Sequence, residues 1–209
     1  MWACYRGHLE CAQALVDAGA AVDMVSNNGW TALVWACFFG QHECAQTLIE
    51  AGAVVDIGDN NGWTALVLAC RSGRLGCAQA LIEAGAAVDM VDNYGKTALM
   101  WTCDLGRHEC TRALIDAQAD LELTNRDGQN ALMIACKSPH SWYSQRVRQG
   151  KIRCALAILA ATAPIEVAAV PDQAASLKFA CERLQLIETV LSSTHVIEDA
   201  PQLARVRDL

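Results

Sequence analysis

The sequence predicts an all-α solenoid: helix–turn–helix units joined by short β-turn or hairpin connections and stacked side by side. Three observations predict it. First, the 11 cysteines are periodic: Cys4, Cys37, Cys70, Cys103 and Cys136 stand 33 residues apart, as do Cys11, Cys44, Cys77 and Cys110. Second, glycines recur in the same register, at 29, 62, 95 and 128 and at 7, 40, 73 and 106, with Leu33, Leu66, Leu99 and Leu132 beside them. Third, apolar residues between the glycines fall at i, i+3 and i+4, the spacing of one helix face. A fixed period of this length marks a chain of stacked supersecondary units.

Each element of the unit follows from its residues. Gly29 and its equivalents supply the positive φ of a turn. Thr31, Thr64 and Thr97 are good N-caps for a first helix. Leu33, Ala36 and Cys37 form its apolar face, and Gly40 breaks it. A second helix is expected from about His42 to Ala51, with Cys44, Ala45, Leu48 and Ile49 inward. Gly52 ends it in the left-handed conformation, as do Gly19 and Gly85, but the fourth unit has Gln118 there.

The expected array covers 1–169: a partial first unit at 1–25, units at 26–58, 59–91 and 92–124, and a fifth at 125–169 with an inserted loop near 138–148. The insertion is placed by aligning Gly150 with Gly106 and Cys154 with Cys110. A degenerate closing helix pair is expected at 170–193 and an uninformative tail at 194–209. Met1 aligns with Val34, so the first unit lacks its turn and half its first helix. That predicts a piece of a longer array, because solenoids need polar caps at their ends. The uncovered N-terminal edge is a place for self-association.

These units resemble the ankyrin repeat. The matching stretches are Gly-Trp-Thr-Ala-Leu-Val-Trp-Ala at 29–36, Gly-Trp-Thr-Ala-Leu-Val-Leu-Ala at 62–69 and Gly-Lys-Thr-Ala-Leu-Met-Trp-Thr at 95–102. The family's Thr-Pro-Leu-His core is altered: proline is replaced by Ala32, Ala65, Ala98 and Ala131, and histidine by Val34, Val67, Met100 and Met133. The histidine–threonine network of the family is therefore lost, and less rigid turns are expected.

The resemblance implies non-catalytic binding of a protein partner in a concave groove lined by turn tips and the outward side of the first helices. On this chain those positions include Asn27, Asn28, Trp30, Val34, Trp35, Phe38 and Phe39, preceded by Tyr5 and Arg6. The next units give Asn60, Asn61, Trp63, Arg71 and Ser72, then Tyr94, Lys96, Trp101, Asp104 and Leu105. The groove reads as apolar toward the N-terminal units and charged later. Trp30 and Trp63 are the best expected anchors, since tryptophan is enriched in interface hot spots; alternatively each packs on the neighbouring turn. The insertion, with Trp142 and Tyr143 among basic residues, is either a contact for an acidic partner or a solvated loop. Two other roles stay open: a spacer segment without its own ligand, and a ubiquitin-ligase adaptor. The adaptor rests on Ser176-Leu177 with Cys181, which looks like the start of an elongin-binding box.

Composition and motifs narrow the rest. A hydrophobic content of 53% excludes a disordered chain. A net charge of −7 argues against nonspecific nucleic-acid binding, which needs clustered Lys and Arg. No apolar run is long enough for a membrane insertion, and the start has no basic-then-apolar signal peptide pattern. No cofactor or metal is expected: there is no Cys-x-x-Cys, and His42-Glu43-Cys44 and His108-Glu109-Cys110 recur as copies of one unit. No catalytic constellation is visible, and Asp23, Asp56, Asp89 and Glu122 read as turn and hairpin acids. The cysteines read as small packing residues, with the closest pairs expected inside a unit, such as Cys37 with Cys44. Packed neighbouring helices stand too far apart for disulfides along a ladder. Free thiols imply a reducing compartment, cytoplasmic or nuclear.

Overall fold

The computed structural model describes residues 1–137 and 144–162, all within one unit spanning Met1–Ala163. Trp142, Tyr143, the adaptor residues and the expected segments at 170–193 and 194–209 lie outside the described residues. Five helix pairs follow one another: α1 (Trp2–Arg6) with α2 (Leu9–Asp17), α3 (Ala32–Phe39) with α4 (His42–Glu50), and α5 (Ala65–Ser72) with α6 (Leu75–Glu83). Then come α7 (Ala98–Leu105) with α8 (His108–Asp116), and α9 (Ala131–Cys136) with α10 (Gln145–Ala161). The odd-numbered helices stack in one layer and the even-numbered in another. The described residues contain no strand. The fold is the all-α solenoid expected from the period.

Local chemistry sets the helix limits. Thr31, Thr64 and Thr97 each accept a hydrogen bond from the backbone N–H three residues on, at 3.2, 3.3 and 3.3 Å. Each satisfies one of the otherwise orphaned first-turn donors. Asn130 does the same for α9, accepting from Met133 N at 2.9 Å. Gly40, Gly73 and Gly106 close the first helices in the left-handed region.

The second helices end on Gly19, Gly52 and Gly85 at φ 76°, 82° and 82°; in the fourth copy Gln118 adopts φ 61°. It is the only non-glycine with positive φ among the described residues. Glutamine has a Cβ that crowds the following carbonyl there, at a cost of roughly 1–2 kcal/mol. Gln118→Gly is expected to stabilise by about 1 kcal/mol, partly offset by the entropy of a new glycine. Thermal melting checks this, and an unchanged or lower midpoint would count against it.

The core lies between the layers. Leu33, Leu66 and Leu99 are buried, and Cys37, Cys70 and Cys103 are wholly so. Cys44, Cys77, Cys110 and Cys154 fill the facing positions, also buried. The free thiols neighbour one another diagonally rather than within a unit: Cys37 lies by Cys77, Cys70 by Cys110 and Cys103 by Cys154, each from the following unit. These contacts, and then burial, hold the Cys37, Cys70 and Cys103 thiols above the ordinary range, so they stay protonated. In the fourth unit Thr102 and Thr111 replace the alanines of the other copies. The change is made jointly: the two hydroxyls bond at 2.9 Å, and Thr102 donates to Leu99 O at 2.7 Å. No hydroxyl is left bare in the apolar interior. Val34, expected on the groove, is instead buried in this core at 1% exposure, and its equivalents Val67 and Met100 are buried too.

The fifth unit departs most from expectation. Residues 145–148, expected in the inserted loop, form the first turn of α10, capped by Ser144. Gln-Arg-Val-Arg-Gln contains good helix formers, so the inserted residues extend the helix. Gly150, aligned with the turn glycine Gly106, sits inside that helix and is buried against Gly106 itself.

Candidate functional site

The turn tips are organised by one side chain per unit, at 26, 59, 92 and 125. Asp59 Oδ1 accepts from the N–H groups of Asn61 and Trp63 at 2.7 and 2.9 Å. Asp92 Oδ1 accepts from Tyr94 and Lys96 at 2.8 and 2.9 Å. Asn125 repeats the pattern toward Asp127 and Gln129, and Ser26 accepts from Trp30 N at 3.1 Å. An acceptor followed by donors two and four residues on makes a self-closed turn. The second carboxylate oxygen reaches back to the preceding unit. Trp30 Nε1 donates to Asp59 Oδ2 at 3.0 Å and Trp63 Nε1 to Asp92 Oδ2 at 2.8 Å. Trp101 Nε1 donates to that same Asp92 oxygen, also at 2.8 Å. Where the chain has Lys96 in place of a third tryptophan, the following acceptor is the neutral Asn125.

Beside these turns lies an aromatic patch on α1 and α3. Tyr5 meets Phe39 edge-on at 4.6 Å between ring centroids and Trp35 at 5.6 Å. Trp35 meets Trp30 at 4.5 Å and stacks on Phe39 at 5.9 Å, while Phe38 joins through Trp30 at 5.2 Å. Edge-to-face pairs at these distances contribute about 0.5–1.5 kcal/mol each beyond area burial. All five rings are partly exposed.

Farther along the same layer the chemistry becomes cationic. The Arg71 guanidinium lies over the rings of both Trp63 and Trp101, at 4.8 and 5.2 Å. Its Nε is buried with no hydrogen-bond partner. Lys96 Nζ sits 4.1 Å from the Trp101 ring and 3.1 Å from Asp104 Oδ2. Asp104 is shared with Lys151, whose Nζ lies 3.7 Å from Oδ1. Burial pushes the Lys151 pKa down, opposed by Asp104. An open cleft of about 300 Å³ is bordered by Tyr94 and Lys96 on one turn, Trp101 on α7, and Asn125, Arg126 and Asp127 on the next turn. A depression of about 480 Å³ between α2 and α4 lies on the other layer and gathers none of these rings or cations.

The structure therefore sets Tyr5, Trp30, Trp35 and Phe38 in one ring cluster, and Trp63, Arg71, Lys96, Trp101 and Asp104 in a second. Tyr94 stands on the cleft, 57% exposed. The indole N–H groups of Trp30 and Trp63 are engaged between turns, and that of Trp101, on α7, bonds the turn of its own unit. Sequence reasoning missed Asp59, Asp92 and Asn125, although their 33-residue spacing was there to find. It singled out the hairpin acids instead. Asp23, Asp56 and Asp89 accept from the backbone of Val54, Ala87 and Asp120, one unit on, as hairpin acids do. Among the described residues no three His, Cys, Asp or Glu side chains converge on a point, and no helix is long and apolar enough to cross a membrane.

Compared with known families, the chain matches the model described as ankyrin repeats (3 copies) over residues 1–92 and 84–146. No curated protein matches it.

Proposed function

The chain belongs to the ankyrin-repeat family, whose repeats are generally protein–protein interaction modules, and from that premise we propose that it is a non-catalytic scaffold holding a protein partner on its first-helix face. One observation carries this reading: two clusters of partly exposed rings and cations, one at Tyr5, Trp35 and Phe39 and one at Arg71 and Trp101, lie along the same layer of first helices. The odd-numbered helices also pack more extensively on one another than α2, α4, α6 and α8 do. A preformed surface binds with little reorganisation, and its affinity rests on a few aromatic and arginine anchors. Because Trp30 and Trp63 are tied to the next turn, Trp35 and Phe39 are the better anchors to test. The buried thiols support a reducing compartment, cytosol or nucleus.

The test is capture of a partner by immobilised protein, followed by a Trp35→Ala, Phe39→Ala double variant with its folding verified by circular dichroism. Binding is expected to fall at least tenfold, since hot-spot truncations cost about 2 kcal/mol or more. A Glu43→Ala, Glu50→Ala variant on the second-helix face should bind normally. Undiminished capture by the Trp35 and Phe39 variant would sink the reading. The indole bridges between turns favour one rival, a stiff spacer without a ligand; under it the intact protein captures nothing above background.

A further inference from the structure

The two helix layers differ sharply in charge. Helices α2, α4, α6 and α8 carry seven acidic residues and one arginine, whereas α1, α3, α5, α7 and α9 carry two arginines and one aspartate. In a chain of net charge −7, the acids are thus concentrated away from the aromatic strip. Most acids near the strip are engaged, the exception being Asp127, exposed on the cleft wall beside Arg126. Asp92 accepts four N–H groups, and Asp104 is divided between Lys96 and Lys151. The cations are not matched in the same way. Arg71 lies between two indoles with no ion pair among the described residues, and its buried Nε lacks an acceptor. Arg126, exposed on the far wall of the cleft from Lys96, also has no ion pair there. Rings in the first two units thus give way to rings with the unmatched Arg71 in the third, and to the unmatched Arg126 in the fifth.

Resting on the groove reading, we propose that the partner is an extended acidic peptide segment that also carries a large apolar residue. The apolar side chain lies on the patch of Tyr5, Trp35 and Phe39. The carboxylates reach Arg71 and the cleft between Lys96 and Arg126, where opposite charge supplies register as well as attraction. The geometry sets a spacing. The near edges of the patch and the cleft, Trp35 and Lys96, are two units apart, and packed helices repeat every 8–10 Å, so the span between them is about 16–20 Å. An extended chain advances about 3.3 Å per residue, which places the acids about five or six residues from the apolar anchor.

The probes are synthetic 14-residue peptides with a Leu-Trp pair and a block of Asp and Glu five residues away. Matched versions replace the acids by Asn and Gln or by Lys, or shorten the spacing to two. Fluorescence anisotropy reads the affinity. The acidic peptide at the five-residue spacing is expected to bind at least tenfold more tightly than its neutral and short-spaced versions. Lys96→Glu with Arg126→Glu should abolish that advantage, and Arg126→Glu alone, at an exposed turn, should reduce it with no change in melting. Lys96→Arg should retain it.

Equal binding of neutral or basic peptides, or indifference of the acidic peptide to charge reversal, would overturn the proposal. So would binding of a single-stranded oligonucleotide that depends on the same cations. If no acidic peptide binds while partner capture still requires Trp35 and Phe39, the acidic partner is wrong and the groove stands. If capture is indifferent to Trp35 and Phe39, the groove reading falls as well.

Discussion

Replacing Gly150 by alanine should lower the stability of the fifth unit by about 3 kcal/mol, at the upper end of overpacking costs. Gly150 sits inside α10, and a Cβ there would meet the carbonyl carbon and Cα of Gly106 at 2.8 and 2.9 Å, well inside contact distance. The obstacle is backbone, so no side chain can rotate away. Gly106 cannot retreat either: it holds φ 66°, and a Cβ on it would meet Val147 O at 2.6 Å. The methyl must therefore lift α10 away from α7 and α8. That movement would loosen Cys154 from Cys103 and Lys151 from Asp104. At about 2–4 °C per kcal/mol for a chain of this size, the midpoint should fall by about 6–12 °C, or the melt should split as the last unit opens first. Gly76→Ala is the internal control. Gly76 lies in α6 with its nearest neighbour the His42 ring at 3.5 Å, so the same methyl fits and should be neutral or slightly stabilising. Equal melting of the Gly150→Ala protein and wild type would show that the two glycines are not in close contact.

That pair also shows where sequence reading stops. The 33-residue period specified the helix pairs, the threonine caps and, except at the exposed Cys11 and the half-buried Cys136, the inward cysteines, because each is a local preference repeated in register. It failed at Gly150 for a physical reason. A glycine aligned with a turn glycine can serve an unrelated purpose once an insertion changes the backbone around it. Gly106 needs glycine for its positive φ, whereas Gly150 needs it for the close approach of a neighbouring backbone. Spacing alone does not separate those two demands.

The site was legible in a different proportion. The change from aromatic to charged along the first helices was visible in the residues at 5, 38, 71, 104 and 137, which read Tyr, Phe, Arg, Asp and Lys. What each ring touches was not. Trp35 and Trp101 occupy the same position one and three units along, yet Trp35 meets Tyr5 and Phe39 while Trp101 meets Arg71 and Lys96. Tyr5 and Arg71 come from the preceding units, and those contacts are long-range. The thiol pairing was missed similarly. Cys37 meets Cys77 because stacking brings the second helix of the next unit against it, a diagonal that the spacing within one unit does not reveal.

The Asp92 carboxylate is where turn geometry and inter-unit stacking are coupled, and its removal should be costly. Asp92→Ala strips the acceptor from Tyr94 N, Lys96 N and the indoles of Trp63 and Trp101. Bonds to a charged acceptor contribute about 1.5–3 kcal/mol each when buried, and Asp92 is 4% exposed. Nearby water can replace part of this, so the expected loss is about 3–4 kcal/mol in chemical denaturation. Asp92→Asn separates the two functions. Its Oδ1 can still close the turn, as Asn125 does toward Asp127 and Gln129 at 2.9 Å. Its amide nitrogen, however, would direct hydrogens at two indole N–H donors, so about 2 kcal/mol should still be lost. In a Trp63→Phe, Trp101→Phe background there are no indole donors to oppose, and the Asp92→Asn cost should shrink toward zero. A double-mutant cycle measures that difference as a coupling energy. If Asp92→Asn costs the same in both backgrounds, the carboxylate is only a turn residue and Trp63 does not join the units through it. A coupling near 2 kcal/mol instead explains the succession along the chain: an aspartate follows wherever the preceding turn offers tryptophan, and a neutral asparagine follows Lys96.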